Sequence, residues 1–269
     1  MTRKLWTQIT IRRIQAVLER HSLFHPSQAE LRSLNGADGS TLQLINVMEA
    51  VQETQQPLFL CSWDMSKAFD SPSKNLLKFA WTRMGVPSNI ADYLVSLDVD
   101  AHTVIRSPVA TAAFERDGYK AFHDVSKGSH CKKLSEFKAG RGVGQGVVGS
   151  PTNWNAVFDI LLVALANLPS QLNITGPHGN LHPVTGIGYA DDLLTAAGSS
   201  KGLQDQADLV SIFAIIFGLD IAHTKLRTLT THWSGTHWHQ TKMSPIRVQK
   251  SSWNSINVPI QFNGQLKLG

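Results

Sequence analysis

Two adjacent carboxylates, Asp191 and Asp192, lie between apolar arms in the stretch GYADDLL, Gly188 to Leu194, and a third, Asp64, closes the apolar run PLFLCSWD, Pro57 to Asp64. Neighbouring like charges raise the cost of ionising one another. A solvated turn tolerates such a pair, because Asp hydrogen-bonds its own backbone there; a divalent cation cancels the repulsion. A strand-end carboxylate such as Asp64 is a good ligand because a sheet holds its position. If the two segments are neighbours, carboxylates from separate parts of the chain converge on one spot, and such oxygen ligands suit Mg²⁺, which commonly keeps phosphate oxygens in its shell. Two such ions can clamp the attacking and leaving oxygens of a phosphoryl transfer. Taken alone, the pair does not choose between turn and metal.

A second stretch with chemical content is GVGQGVVGSP, Gly142 to Pro151, whose glycines permit close backbone approach to a nucleic acid strand. Gly144, Gly146 and Gly149 also spell the G-x-G-x-x-G of dinucleotide-binding folds. That rival lacks an apolar strand running straight into its first glycine and an acid at a second strand end about twenty residues on. His232, His237 and His239 in THWSGTHWHQ fit no zinc spacing. They read as an exposed loop, or as a stacking surface for single-stranded nucleic acid.

The elements that must position these residues follow from periodicity and punctuation. Leu5, Trp6, Ile9, Val17 and Leu18 fall mostly on one face of a helix that His25-Pro26 would stop, and a second helix fits Thr41 to Gln55 with Leu42, Ile45, Met48 and Val51 facing inward. Pro57 to Asp64 has the length of a buried strand. SPSKNLLKFAWTRMG then reads as a capped helix with Pro in its first turn and Gly past its end. A short helix over Pro87 to Leu97 and a strand at HTVIRS precede Pro108 to Lys138, which reads as an insertion or mobile loop. The apolar run Ala156 to Leu168 is a buried helix, too short for a bilayer and interrupted by Asp159 and Asn167. Ile187 to Tyr189 and Leu193 to Ala197 form hairpin arms with Ala190-Asp191-Asp192 at the tip. Leu203 to Phe217 is a further helix ending at Gly218, and strands dominate from IAHTKLRTLTTHW to the end. This order points to an α+β domain rather than a regular βαβ alternation.

Composition narrows the class. In 269 residues with 42% hydrophobic content there is ample material for a core, and 25 Lys plus Arg against 20 acids, net +5, suit a polyanionic partner. The two cysteines, Cys61 and Cys131, are far apart, with neither disulfide nor zinc spacing, so the setting expected is reducing and intracellular, nuclear or cytoplasmic, with no membrane partner.

Read in order, WDMSKAFD (Trp63 to Asp70), GVGQGVVGSP, YADD (Tyr189 to Asp192), GLDIAHTK (Gly218 to Lys225) and a closing QLKLG resemble the motifs of the reverse-transcriptase family. The resemblance is to the enzymes of non-LTR, LINE-type retroelements, with group II intron enzymes more distant, and it covers nearly the whole chain. It implies an RNA-directed DNA polymerase working on an RNA template, a DNA primer and dNTPs. It also implies Asp64 and Asp191 as principal Mg²⁺ ligands (two ions, Mn²⁺ as a substitute), Asp192 beside them, and the main-chain oxygen of Met65 in the shell. Phe69 matches the family's steric gate, a ring under the sugar that excludes a 2′-hydroxyl; its alternative is plain core packing. Gln145 and Gly146 match the Q-G that faces nucleotide and template, with Tyr189 opening the acidic turn. Lys225 matches the lysine that protonates departing pyrophosphate, the alternative being a solvated lysine on an edge strand. HPSQAELR looks like the segment leading into a Q-x-x-F/L element, and Arg32 loosely matches a basic fingers position.

The pattern departs from the family at both ends. No R-P-I-like motif precedes the first helix, QLKLG matches the family's closing K-Y-L-G only in part, and no helical thumb follows it. The expected architecture is thus a polymerase palm, an antiparallel sheet backed by helices, over 57–269, with partial fingers over 1–56, an insertion near 108–138 and no thumb. The alternative is a catalytically inactive nucleic-acid-binding remnant or maturase-like domain.

Overall fold

The run PLFLCSW is apolar in both phases of the strand period, which a strand tolerates only when both its faces are covered. The computed structural model shows this arrangement, and it describes residues 2–28, 37–99, 102–105, 114–116, 119–121, 135–138, 141–143, 149–176, 179–184, 186–233, 237–240, 246–249 and 255–258. Helices α1 (Thr2–Arg20) and α2 (Ala37–Thr54) precede strand β1 (Pro57–Trp63), the two-residue β2 (Met65–Ser66) and a 3₁₀ turn (Ala68–Asp70). Next come α3 (Lys74–Arg83), α4 (Ser88–Val99) and the short strands β3 (His102–Ile105), β4 (Phe114–Arg116), β5 (Tyr119–Ala121) and β6 (Ser135–Lys138). Helix α5 (Ser150–Ala166) leads to β7 (Leu172–Thr175), β8 (Leu181–Val184), β9 (Gly186–Tyr189) and β10 (Asp192–Ala197). After α6 (Ser200–Phe217) the chain continues through β11 (Asp220–Ile221), β12 (Arg227–Trp233), β13 (Trp238–Gln240), β14 (Ile246–Gln249) and β15 (Ser255–Val258).

The central sheet has five strands in the order β13-β12-β1-β10-β9, each pair antiparallel. A dinucleotide-binding fold needs a parallel sheet, so the rival reading of the glycine run falls. Alternation along β1 divides the core in two. Phe59, Cys61 and Trp63 join α1, α3, α5 and α6 on one face, whereas Leu58 and Leu60 join Val47, Met48 and Val51 of α2 on the other. Strand β10 repeats the division with Leu193 and Ala197 against Leu194 and Ala196. Burial pushes the Cys61 thiol well up, which leaves it protonated and inert.

Both N-terminal helices exist, but their inner faces differ from expectation. In α1 the buried stripe is Thr7, Ile11 and Leu18 with Ile14 beside them, while Leu5, Trp6, Ile9 and Val17 are exposed. Each set has helical spacing, and only the partner surface selects one. In α2, which starts at Ala37 rather than Thr41, Met48 and Val51 face inward as expected, joined by Val47 and Leu44 in place of the exposed Leu42 and Ile45. The cap of α3 is Ser73, whose Oγ accepts from Leu76 N at 3.3 Å, not Ser71-Pro72. Within 108–138 there are strand pieces: β4 pairs β5, and β6 pairs β3, which lies before this segment. His232 and His239 are register partners in the β12–β13 pair, so the expected exposed loop is in part a hairpin. Arg32, Cys131, Gln145, Gly146, the closing QLKLG and the remainder of 108–138 lie outside the described residues.

Helix α5 is apolar by composition yet carries polar side chains that each hold a distant segment. Gln15 Nε2 donates to Thr152 Oγ1 at 2.8 Å, Trp81 Nε1 to Asn153 Oδ1 at 2.8 Å, and Gln28 Nε2 to Asn155 Oδ1 at 2.9 Å. Buried Asp159 accepts from His25 N at 2.6 Å and pairs with Arg83 Nη1 at 2.7 Å. Buried polar groups must be satisfied in this way, and long-range satisfaction fixes which elements meet. Among the described residues no helix is long and apolar enough to cross a membrane.

Candidate active site

Strand register brings the acidic segments together. Trp63 is the register partner of Leu193 and Tyr189 that of Asp192, so Asp64, one residue past the end of β1, emerges beside the β9–β10 hairpin. The connection at the hairpin is the two residues Ala190 and Asp191. Ala190 has φ 52°, the left-handed region that a two-residue loop demands at its first position but that an L side chain rarely adopts. Asp191 is half-buried and Asp192 reaches solvent.

The turn after β11 supplies the cation. Strand β11 pairs β2, Ile221 opposite Met65, and Ala222 N then donates to the carbonyl of Asp64 at 2.9 Å. Lys225 N closes the turn onto Ala222 O at 2.9 Å, and Lys225 Nζ reaches Asp64 Oδ2 at 2.8 Å. Lys225 thus lies in a turn, not on the edge strand offered as its alternative. Its hydrogen bond to Asp64, and the charges of Asp64, Asp192 and Asp191, hold the ammonium above its ordinary value. Partial desolvation, then the charges of Asp191 and Asp64, push the Asp192 carboxyl up, and Lys225 offsets part of this.

Asp192 therefore binds its proton more tightly in the fold than in the unfolded chain. Stability must fall as pH rises from the ordinary aspartate pKa, about 3.9, through the raised one. Asp192→Asn should consequently melt slightly higher than the parent at pH 7 in chelator, by roughly 1–2 °C. The gain should vanish below about pH 4. Thermal melts across that range check it; equal melting temperatures at pH 7 would mean that the three carboxylates do not repel.

Mutual repulsion eased by an ammonium is the electrostatic signature of a cation site, and the donors are hard oxygens of the kind Mg²⁺ takes. As the side chains stand, no three carboxylate, imidazole or thiolate groups among the described residues form a ready-made coordination sphere. Lys225 holds Asp64 in a pair that an entering ion would have to displace. The donor types fit a divalent ion; Asp64, Asp191 and Asp192 are the side chains that could hold it. Met65 is buried and its thioether is a soft ligand, so any contribution from it to a hard cation would come through the main-chain oxygen.

Phe69 sits on the 3₁₀ turn, half-buried, its ring centroid 5.6 Å from that of Trp154. The start of the glycine run is stitched to the same turn: Val143 N donates to Phe69 O at 2.6 Å, Gly142 N to Pro72 O at 2.8 Å, and Lys74 Nζ to Gly142 O at 2.7 Å. Gly142 has φ 77°, and a Cβ there would stand 2.6 Å from Asp70 Cα. Its close approach is therefore to the chain itself, while Gly144 and Gly146 lie outside the described residues.

A family model for reverse transcriptase (RNA-dependent DNA polymerase) matches residues 1–254. The chain belongs to the reverse transcriptase family. It is 26% identical over 232 residues to the retrovirus-related Pol polyprotein from type-1 retrotransposable element R2 of Popillia japonica. That alignment covers 86% of the chain and 29% of the relative, so the chain spans under a third of the polyprotein's length. Solved telomerase structures from Candida Tropicalis share the fold. The apo form truncated from its C-terminal domain aligns with TM-score 0.57 at 13% identity, over 94% of this chain and 43% of that one. The form in complex with a TWJ fragment of telomeric RNA aligns at 0.58 and 12%, over 96% and 38%. The antiparallel sheet backed by helices is accordingly a reverse-transcriptase palm.

Within this reverse-transcriptase fold the structure gathers Asp64, Asp191, Asp192 and Lys225 at one end of the central sheet, with Met65 beside Asp64 and Tyr189 opposite Asp192. Residues to which the sequence analysis gave no role at the site complete the support. Gln28 makes a parallel bridge to Gly188, whose N donates to Ser27 O at 2.8 Å, and Trp154 Nε1 donates to Ala190 O at 2.9 Å. A Cβ on Gly188 would stand 2.8 Å from Gln28 Oε1 and 3.0 Å from Phe158, so bare backbone is needed there. The available signal was the set of polar side chains interrupting the apolar helix α5.

Proposed function

We propose that this chain is the polymerising core of a non-LTR retroelement reverse transcriptase, extending a DNA primer on an RNA template from dNTPs. The observation that carries the proposal is the register of β1, β10 and β9, which puts Asp64 beside the Asp191-Asp192 loop with Lys225 at the same point. Likeness to the R2 polyprotein supports the retroelement class. In this reading residues 1–56 are partial fingers, the palm runs from 57 onward, and the work is done inside the cell, in the nucleus or cytoplasm.

Asp64 and Asp191, with Asp192 and the main chain of Met65 beside them, would hold two Mg²⁺, or Mn²⁺ in their place. Bound there, the ions supply Lewis-acid stabilisation to the oxygens that attack and leave. In the reaction the primer 3′-oxygen bonds to the α-phosphorus, its proton passes to solvent, and the bond from that phosphorus to the β-phosphate oxygen breaks. Lys225 leaves Asp64 and gives its ammonium proton to the departing pyrophosphate, an electrostatic as well as an acid role. Phe69 lies under the sugar, Tyr189 and the Gln145-Gly146 pair face nucleotide and template, and the positive net charge supports salt-sensitive contacts to phosphates.

Primer extension on an RNA template with dNTPs and Mg²⁺ tests the proposal. Chelator-sensitive extension is expected. RNA binding that weakens with salt, without any incorporation, would instead assign the chain as an inactive binding remnant or maturase-like domain. Phe69→Ala tests the gate separately: truncating the ring should raise the ribonucleotide-to-deoxynucleotide incorporation ratio roughly tenfold or more, since excluding one hydroxyl is worth at least about 1.4 kcal/mol. An unchanged ratio would make Phe69 a packing residue.

A further inference from the structure

Trp154 is fully buried on the first turns of α5, and its indole N–H has to find an acceptor there. The acceptor it finds, at 2.9 Å, is the carbonyl of Ala190. That oxygen belongs to the peptide plane shared with the nitrogen of Asp191, so fixing it fixes the plane from which the Asp191 side chain departs. Ala190 is also the left-handed residue of the loop, at φ 52°, a conformation that persists only when its surroundings hold it. The ring of the same tryptophan stacks on Phe158 with centroids 5.5 Å apart and meets Phe69 at 5.6 Å. A similar device stands on the other acidic segment. There Lys67, left-handed at φ 54° just beyond Asp64, has its carbonyl held by Ser71 Oγ at 2.8 Å.

We infer that Trp154 is a positioning residue with two edges: its N–H aims Asp191 through Ala190, setting metal affinity, and its ring supports Phe69, setting sugar selectivity. The inference rests on the polymerase reading above for what the two edges control, while the hydrogen bond itself is tested without it. Phenylalanine keeps the ring and removes the donor, whereas leucine removes both.

Mn²⁺ binding followed by electron paramagnetic resonance, amide hydrogen exchange, and the sugar selectivity of incorporation separate the edges. Trp154→Phe should weaken Mn²⁺ binding roughly tenfold, as loss of a ligand's supporting partner does. It should also speed exchange across residues 188–193 by roughly three- to tenfold, the value of one hydrogen bond, while exchange in β1 stays unchanged. Its sugar selectivity should match the parent, and Trp154→Leu should lose selectivity as well. Parental Mn²⁺ affinity and parental hairpin exchange in Trp154→Phe would overturn the inference, as would exchange that rises equally in β1, the mark of a merely structural role. A parent chain that binds no Mn²⁺ would overturn the polymerase reading and the metal half of this one. Exchange confined to the hairpin would still sustain the positioning half, and unchanged exchange would sink it.

Discussion

Asp191→Asn is expected to lower RNA-templated incorporation by at least roughly a thousandfold, which corresponds to about 4 kcal/mol of transition-state stabilisation. The substitution preserves shape and one oxygen acceptor, so the two-residue loop and the Trp154 bond to Ala190 should survive. It removes the charge that a hard divalent ion needs, at the position where Asp64 and the hairpin meet. Single-nucleotide incorporation read beside Mn²⁺ binding provides the measurement, and both should fall together. Asp92→Asn is the control: its partner Lys78 lies 2.6 Å away on the surface, with side chains 40% and 55% exposed, a pair worth well under about 1 kcal/mol. Activity within a few-fold of the parent in Asp191→Asn would return Asp191 and Asp192 to the solvated turn.

The second large effect falls on stability. Asp159→Ala should cost about 3 kcal/mol, the low end of the range for breaking a buried pair, because Arg83 keeps 28% of its side chain exposed. Alanine strips both the Arg83 guanidinium and the His25 amide of their acceptor. Urea denaturation should show a lower midpoint at an unchanged slope, the pattern of lost stability without a changed unfolded state. Asp159→Asn should lose less, since its amide oxygen still accepts from His25, and Asp159→Leu with Arg83→Met should recover much of the loss by removing the charges together. The damage should extend to the site, because the His25–Gln28 segment delivers Gln28 to Gly188, close to the acidic loop. A midpoint within experimental error of the parent would mean that the Arg83–Asp159 pair contributes nothing net.

Much of the framework was legible because it is local. β1 announced itself by being apolar in both phases, the β9–β10 hairpin by arms around an acidic tip, and α6 by its stripe and the glycine at its end. Burial faces were less legible. Leu5, Trp6, Ile9 and Val17 cluster on one helical face and Thr7, Ile11, Ile14 and Leu18 on another, and a period identifies a face without saying what it meets. Met48 and Val51 were read correctly in α2, while Leu42 and Ile45 point to solvent and Leu44 and Val47 replace them. The alternative of an edge strand for Lys225 fails because the turn that holds it is defined by a bond from Ala222 to Asp64, 158 residues earlier in the chain.

The sequence by itself determined the family, through five motifs in order, and it carries the kinds of side chain that the proposed chemistry needs. Side-chain type and order are one-dimensional properties, complete before folding. Tertiary structure alone decided which groups stand together: that Asp64 faces the hairpin, that an ammonium reaches it, and that Trp154, Gln28 and Asp159 hold the parts in place. Those are contacts between residues far apart in the chain, chosen by strand register and by the need of each buried donor and acceptor for a partner. No single stretch of sequence settles either requirement.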